Sequence, residues 1–169
     1  TTADTSVVSM ATGGTGVARS TDPAAAFLNP AATMAKAGFK ASLGAILAAP
    51  SLEARGADKN TSTQSSLSVP PNAHLSFSTD NFSVGGSLTV PYGSGLAWPD
   101  DWEHRFDIVA ASMTVLRASA FVGFKLGPVS VAAGPQVDFG KLSLARQIDF
   151  ITEEGSVDID TQAKGVGGH

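Results

Sequence analysis

The stretch that decides the fold is Phe82-Ser83-Val84-Gly85-Gly86-Ser87-Leu88-Thr89-Val90. Phe82, Val84, Gly86, Leu88 and Val90 fall on one set of alternate positions, and Ser83, Gly85, Ser87 and Thr89 on the other. Successive side chains of an extended chain point to opposite faces, so this is a strand with one apolar and one polar face. The polar face is made of small hydroxyls rather than charges. That suits a wall between two media better than the surface of a water-soluble domain.

Outward from this strand the same period recurs. Ala73-His74-Leu75-Ser76-Phe77-Ser78 alternates, and Thr79-Asp80-Asn81 joins it to Phe82 through residues that tolerate tight turns. A partial alternation runs over Phe39–Leu47. A longer pair covers Phe106–Leu126 and Val129 to about Phe150, joined at Gly127-Pro128. On the first, Leu116, Ala118, Ala120, Val122 and Phe124 oppose Arg117, Ser119, Phe121 and Lys125; on the second, Val131, Ala133, Val137 and Phe139 oppose Ala132, Gln136 and Asp138. About five strands result, with short turns at 79–81 and 126–128 and long polar loops at 50–69, 91–105 and 151–165. Short turns at one end and long loops at the other are the layout of a transmembrane antiparallel β-barrel, turns periplasmic and loops extracellular. A soluble β-sandwich also alternates, but its strands usually run about 3–10 residues, half the length of 106–126.

Composition agrees. Only 15% of the 169 residues are charged, against roughly 25% in an average soluble protein. Mean hydropathy is +0.11, yet no segment approaches the about 18 apolar residues a membrane helix needs. There is no cysteine, which excludes disulfides and thiolate metal sites. The net charge of −4 argues against a nucleic-acid partner. Thr1-Thr2-Ala3-Asp4 has neither a basic start nor an apolar core, so the chain reads as a mature form whose signal peptide is already removed.

Residues 1–37 follow no single period. Gly13-Gly14-Thr15-Gly16, Asp22-Pro23 and Asn29-Pro30 punctuate short apolar pieces. Asp22 can cap one helical turn with Pro23 at its first position, and Asn29-Pro30 ends it. The segment is expected to be compact and irregular, separate from the strands of 38–169.

The order of motifs resembles the FadL/TodX family, outer-membrane transporters of long-chain fatty acids and other hydrophobic compounds. Four places carry the likeness: Gly13–Ala18 leading to Phe27-Leu28-Asn29-Pro30-Ala31; Val69-Pro70-Pro71-Asn72-Ala73-His74-Leu75-Ser76-Phe77; Val90-Pro91-Tyr92-Gly93 followed by Leu96-Ala97-Trp98-Pro99-Asp100-Asp101-Trp102 and Arg105-Phe106; and the hairpin Phe121–Gly134. The third is the most specific, and the likeness spans nearly the whole chain. The resemblance implies an N-terminal hatch (1–37) plugging a barrel of about fourteen strands, of which this chain supplies the first five. Asn29, Pro30 and Ala31 would fix the hatch, and the wall would kink in its third strand near Gly85-Gly86. The chain is then an N-terminal portion of a larger barrel, because an open edge in lipid leaves backbone groups unpaired. The end, Ala163–His169, looks like the approach to a sixth strand.

Candidate site residues each have two readings. Tyr92, Leu96, Trp98 and Trp102 put apolar surface into a loop facing water, and Phe106 follows at the start of the next strand. They form either an access groove for an apolar substrate, as the resemblance implies, or aromatic anchors at the membrane interface. His74, Arg117, Lys125 and Asp138 point inward on the assigned faces, with Phe121 on the same side. Arg117 would hold a ligand carboxylate or pair with Asp138 across adjacent strands. Asp100–His104 and Asp158-Ile159-Asp160 lack a calcium-loop spacing and read as solvated acidic loops. Gly13–Gly16 lacks the Lys-Ser/Thr of a phosphate loop, and no nucleophile motif is present. No catalysis, cofactor or metal is expected. The expected role is passive uptake of hydrophobic compounds, with the apolar solute and outer-membrane lipid and lipopolysaccharide as partners. The rival is a FadL-like barrel serving as a structural or docking subunit beside other envelope proteins.

Overall fold

The computed structural model describes residues 6–18, 21–55, 60–64, 66–99, 101–102, 104, 106–149 and 154–168. Strands dominate. They are β1 (Gly38–Ala45), β2 (Glu53–Arg55), β3 (Asn60–Ser62), β4 (Pro71–Ser78), β5 (Phe82–Ala97), β6 (Ala110–Leu126), β7 (Val129–Ala133), β8 (Pro135–Asp149) and β9 (Glu154–Gly168). One antiparallel sheet runs in the order β1-β4-β5-β6-β8-β9, with β7 beside β6, while β2 and β3 form a separate hairpin. No helix among the described residues is long and apolar enough to cross a membrane.

Strands β7 and β8 are one strand interrupted. Val122 faces Ala133 and Ser119 faces Gln136, the same register on both sides of Gly134. The main sheet therefore has six strand positions where about five were expected. The difference is β9: the expected loop at 151–165 is mostly strand, paired with β8 from Gly168 opposite Pro135 to Glu154 opposite Asp149. Its Gly- and Asp-rich composition hid it, since both residues are depleted in strands on propensity alone. The expected loop at 91–105 is likewise strand up to Ala97, and the loop at 50–69 contains the β2–β3 hairpin.

The short turns stand where expected. Thr79 closes the β4–β5 turn through its backbone N–H to Phe82 O (2.7 Å) and by accepting from Phe82 N at its Oγ1 (3.1 Å). Gly127, at φ +64°, turns β6 into β7 in the left-handed region that favours glycine.

β5 carries the one irregularity of its pairing with β6. Thr89 opposes Arg117, but Tyr92 opposes Val115, so Val90 and Pro91 are accommodated by a bulge. A bulge changes which alternate positions share a face. Below it Ser83, Ser87 and Thr89 lie on the Arg117 face; above it Tyr92, Ser94 and Leu96 do. β6 keeps a single register with β8 through the same level.

The N-terminal segment folds as α1 (Val7–Ala11), a 3-10 turn (Thr15–Ala18), α2 (Ala25–Leu28) and a longer 3-10 helix (Pro30–Ala35). Asp22 organises it. Its Oδ1 accepts from Ala24 N (2.9 Å), capping the turn that leads into α2, and its Oδ2 accepts from Ser6 Oγ (2.6 Å). Ser6 in turn caps α1 through Val8 N and Ser9 N. α2 rests on β4 and β5, and the 30–35 helix on β6 and β7. Ala24, Ala25, Ala26 and Met34 are buried there against the face carrying His74, Ser76, Ser83 and Phe121, which is buried too. The opposite face, with Leu75, Phe77, Val122 and Phe124, is exposed. A sheet whose apolar face is bare and whose polar face is covered is the reverse of a soluble protein.

Candidate functional site

The polar face has a defined upper limit. Arg117 and Asp138 face each other on β6 and β8, and the guanidinium gives the carboxylate two hydrogen bonds: Nε to Oδ1 at 2.7 Å and Nη2 to Oδ2 at 2.8 Å. This is the bidentate fork geometry that suits Arg over Lys. Of the two readings of Arg117, the structure shows the cross-strand ion pair.

Above this rung the two faces exchange character. On the Arg117 side the registers place Tyr92 and Leu96 of β5, Val115 and Met113 of β6, Leu142 and Leu144 of β8, and Ile159 of β9. On the other side stand Gly93, Ser112, Thr114, Lys141, Ser143, Asp160 and Gln162. Below the rung the arrangement is the opposite: Ser87, Ser119, His74 and Ser76 inward, Leu88, Ala118, Val122 and Phe124 outward. The signal lies in the sequence, where Val115-Leu116 puts two apolar residues side by side and shifts the phase of alternation. An uninterrupted alternation over 106–126, as expected, has no place for this shift.

Tyr92 and Leu96 thus sit on a strand, on the inward face, not in a loop as expected. Trp98 and Trp102 behave differently from both readings. Their rings stack at 4.5 Å between centroids with 8° between planes, and each is only 9% exposed. Trp102 Nε1 donates to Ile108 O (2.8 Å), Trp98 N donates to Val109 O (2.8 Å), and the His104 ring meets Trp102 edge-on at 5.2 Å. The pair is the core of its own loop, neither an open groove nor an interface anchor. Trp102 N donates to Pro99 O (3.1 Å), closing a turn within the loop. Phe106 is exposed. Asp100, Glu103 and Arg105 lie outside the described residues. So does the side chain of Asp158.

Lower in the sheet, His74 is 2% exposed beneath α2, its ring 6.5 Å from that of Phe27. Lys125 lies opposite Ser130, next to the β6–β7 turn and far from the Arg117–Asp138 rung. Asn29 Nδ2 donates to Val17 O (3.2 Å), tying the first half of the N-terminal segment to the second, with Pro30 and Ala31 opening the next helix. Lys40 Nζ reaches from β1 to Thr33 O (2.8 Å) and pins the segment to the sheet.

Gly85 and Gly86, where a wall kink was expected, keep their pairings on both sides. What they provide is closeness. A Cβ on Gly86 would lie 2.6 Å from Ser119 O, and one on Gly85 would meet Leu75 O and stand 2.7 Å from Phe121 Cε1. Gly134, next to Phe121 on the far side, would meet Ala120 O. Gly85, Phe121 and Gly134 form one rung in which only Phe121 has a side chain. A crevice of about 380 Å3 opens there, lined by Val84, Ala120, Val122, Ala133 and Pro135 besides. Two further grooves, about 430 and 350 Å3, lie at the upper end between Ser66 and strand residues Gly95 and Ser112. The sequence signalled neither, because residues 50–69, which supply much of the boundary of the second, have the composition of a polar loop.

A sheet greasy outside and hydroxylated inside, with a helical N-terminal segment packed on the hydroxylated side, defines an outer-membrane β-barrel protein. The family model of the outer membrane protein transport proteins (OMPP1/FadL/TodX) matches residues 1–167, and the chain belongs to that family. A crystal structure of a Pseudomonas aeruginosa FadL homologue superposes with a TM-score of 0.63 at 16% identity, over 90% of this chain and 44% of that one. At that identity the likeness is one of fold, and the chain spans less than half of the homologue's length. A comparison with curated proteins finds no match.

Proposed function

We propose that the full-length protein is a passive channel for hydrophobic compounds across the outer membrane. The observation that carries this is the exchange of faces above Arg117–Asp138. Tyr92, Leu96, Met113, Val115, Leu142 and Ile159 give the inward side an apolar lining at the level where the outward side turns polar. An inward apolar surface at the end bearing the long loops is what an apolar solute needs when it leaves water.

Solute captured there meets the ion-paired rung and then the N-terminal segment, which acts as the hatch. Two ways onward fit the structure. The hatch shifts, or solute leaves sideways at the Gly85–Phe121–Gly134 rung, where the wall is thin and Phe121 closes it from inside. Long-chain fatty acids and aromatic hydrocarbons are the substrate classes proposed, since the lining offers area and aromatic contact but few polar partners.

The test is uptake by liposomes carrying the full-length protein. The expected result is faster entry of a fluorescent long-chain fatty acid than into protein-free vesicles, with Met113→Glu or Leu142→Glu slowing it by about tenfold through the cost of a charge in an apolar site. Uptake equal to protein-free vesicles overturns the proposal.

A further inference from the structure

Lys141 and Lys164 stand on the outward face at the level where the apolar band ends. Lys164 lies opposite Phe139 and Lys141 opposite Gln162, so the two lysines are diagonal neighbours on adjacent strands. Diagonal neighbours have side chains about 7–8 Å apart at their roots, within common reach of one anionic group for residues as long as Lys. Lys164 Nζ sits 5.2 Å from the centroid of the Phe139 ring, which holds the stem against the apolar band and the charge at its edge. Thr114 is the cross-strand partner of Lys141, so Thr114 and Gln162 add neutral hydrogen-bonding groups on either side. The one described acid on this face nearby is Asp160, opposite Ser143; it is the other diagonal neighbour of Lys141, on the side away from the band, while Lys164 and the Phe139 ring lie on the side toward it.

The band itself has the dimension of a membrane. On β6 its outward residues run from Leu116 to Leu126, ten residue steps. Ten steps of about 3.3 Å make roughly 33 Å along the strand, and a tilt of about 40° reduces this to roughly 25 Å, the height of the apolar band of outer-membrane barrels. On the continuation strands the band runs from Val129 to Phe139 and stops at Lys141. The loop asymmetry puts this end on the outside of the cell.

We infer that Lys141 and Lys164 form a binding site for the phosphate of an outer-leaflet lipid, with lipid A as the occupant and its acyl chains lying along Phe139, Val137 and Leu116. Charge complementarity selects the phosphate. The continuous apolar surface below it selects a lipid over a free anion. The inference depends on the membrane position of the band and not on what the channel carries.

The full-length protein in detergent is mixed with bisphosphorylated lipid A, and bound lipid is counted by native mass spectrometry. Lys141→Gln/Lys164→Gln is expected to lose retained lipid A by about tenfold, the double arginine variant to keep it, and Lys125→Gln, at the other end of the barrel, to match the parent. Lipid A stripped of phosphate should bind the parent no better than the double glutamine variant. Equal retention by the parent and the double glutamine variant, both folded by circular dichroism, overturns the site. Complete displacement of lipid A by millimolar inorganic phosphate shows a free-anion site and overturns the lipid assignment. Because these readouts involve no solute movement, failure of transport leaves them intact.

Discussion

Arg117 and Asp138 occupy facing positions on neighbouring strands and join through two hydrogen bonds of 2.7 and 2.8 Å. Their side chains are 20% and 28% exposed, so the pair is neither a solvated surface contact nor a dry core bridge. It lies at the level where the inward lining changes from hydroxyls to apolar groups, with Tyr92 and Val115 on the next rung. A carboxylate already held in the fork leaves the guanidinium little call for a second one. Removing one partner strands the other. Arg117→Met or Asp138→Leu should each cost about 2 kcal/mol, and the double change Arg117→Met/Asp138→Leu should recover most of it. Urea unfolding of the full-length protein in lipid checks this. Additive losses in the double variant would contradict it, and fatty-acid affinity is expected to change less than stability.

Ser76, Ser78, Ser83 and Thr89 are buried between the sheet and the N-terminal segment, and their hydroxyls find no protein hydrogen-bond partner among the described residues. The buried part of the N-terminal segment is mostly apolar, Ala24, Ala25, Ala26 and Met34, and the hydroxyl of its buried Thr33 donates within the segment to Pro30 O (2.6 Å). Each unsatisfied hydroxyl costs about 1 kcal/mol that water would return if the segment moved away. Ser76→Ala and Ser83→Ala are therefore expected to hold the segment more tightly. Amide exchange over residues 7–35 should slow by about thirtyfold for the double variant, an effect of roughly 2 kcal/mol. Faster exchange would mean that the serines hold the segment rather than loosen it.

Much of this architecture was legible because alternation is a local signal. Phe82–Val90 and Ala73–Ser78 gave strand, face and turn, and the inward assignment of Arg117, Asp138, His74 and Phe121 follows from parity alone. What escaped depended on partners far along the chain. β9 is held as a strand by its fifteen pairings with β8, not by residues such as Gly165 and Asp160. Tyr92 was placed in a loop because the bulge at Val90-Pro91 shifts the period, and a shifted period looks like none. The tryptophans were read as exposed because a polar loop surrounds them; only the hydrogen bond from Trp102 Nε1 to Ile108 O and the stacking reveal that the loop folds on itself.

Trp102→Phe keeps an aromatic ring against Trp98 but loses the donor that holds Ile108 O. The expected cost is about 1 kcal/mol of local stability. Trp102→Ala also loses the stack and its buried area, for about 3 kcal/mol. Trypsin or another protease acting on the loop 98–109 of the full-length protein measures both, with cleavage rates rising in the order parent, Phe, Ala. Equal rates for all three would show that the loop is held from elsewhere.

Gly134 breaks a strand that otherwise keeps its register, and Phe121 beside it is 2% exposed, with its ring over Gly85. Removing the ring leaves the rung with almost no side chain. On the proposed sideways route, Phe121→Ala is expected to widen the crevice and raise the passage of a membrane-soluble dye into the bilayer by several-fold, at a cost of about 3 kcal/mol in stability. Gly134→Ala tests the same rung from the other side, because its added Cβ meets Ala120 O and must push the strands apart or prevent their pairing. An unchanged dye partition in a folded Phe121→Ala variant would remove the rung as a route.

The membrane boundary inferred from the exchange of faces makes a graded prediction along one strand. Val122 and Ala118 lie within the outward apolar band of β6, and Leu116 stands at its edge; Thr114 and Ser112 lie beyond it on the same face. An arginine at the midplane of the lipid costs about 2–4 kcal/mol, falling to about 0–1 at the interface. Val122→Arg should therefore be the most damaging, Leu116→Arg intermediate, and Thr114→Arg and Ser112→Arg close to neutral. The side of the sheet is constant through the series, so only depth varies. Folding of the full-length protein into vesicles, followed by urea titration, ranks the four. A flat series would mean that Thr114 and Ser112 also face lipid, and that the polar stretch above Leu116 is not the end of the membrane.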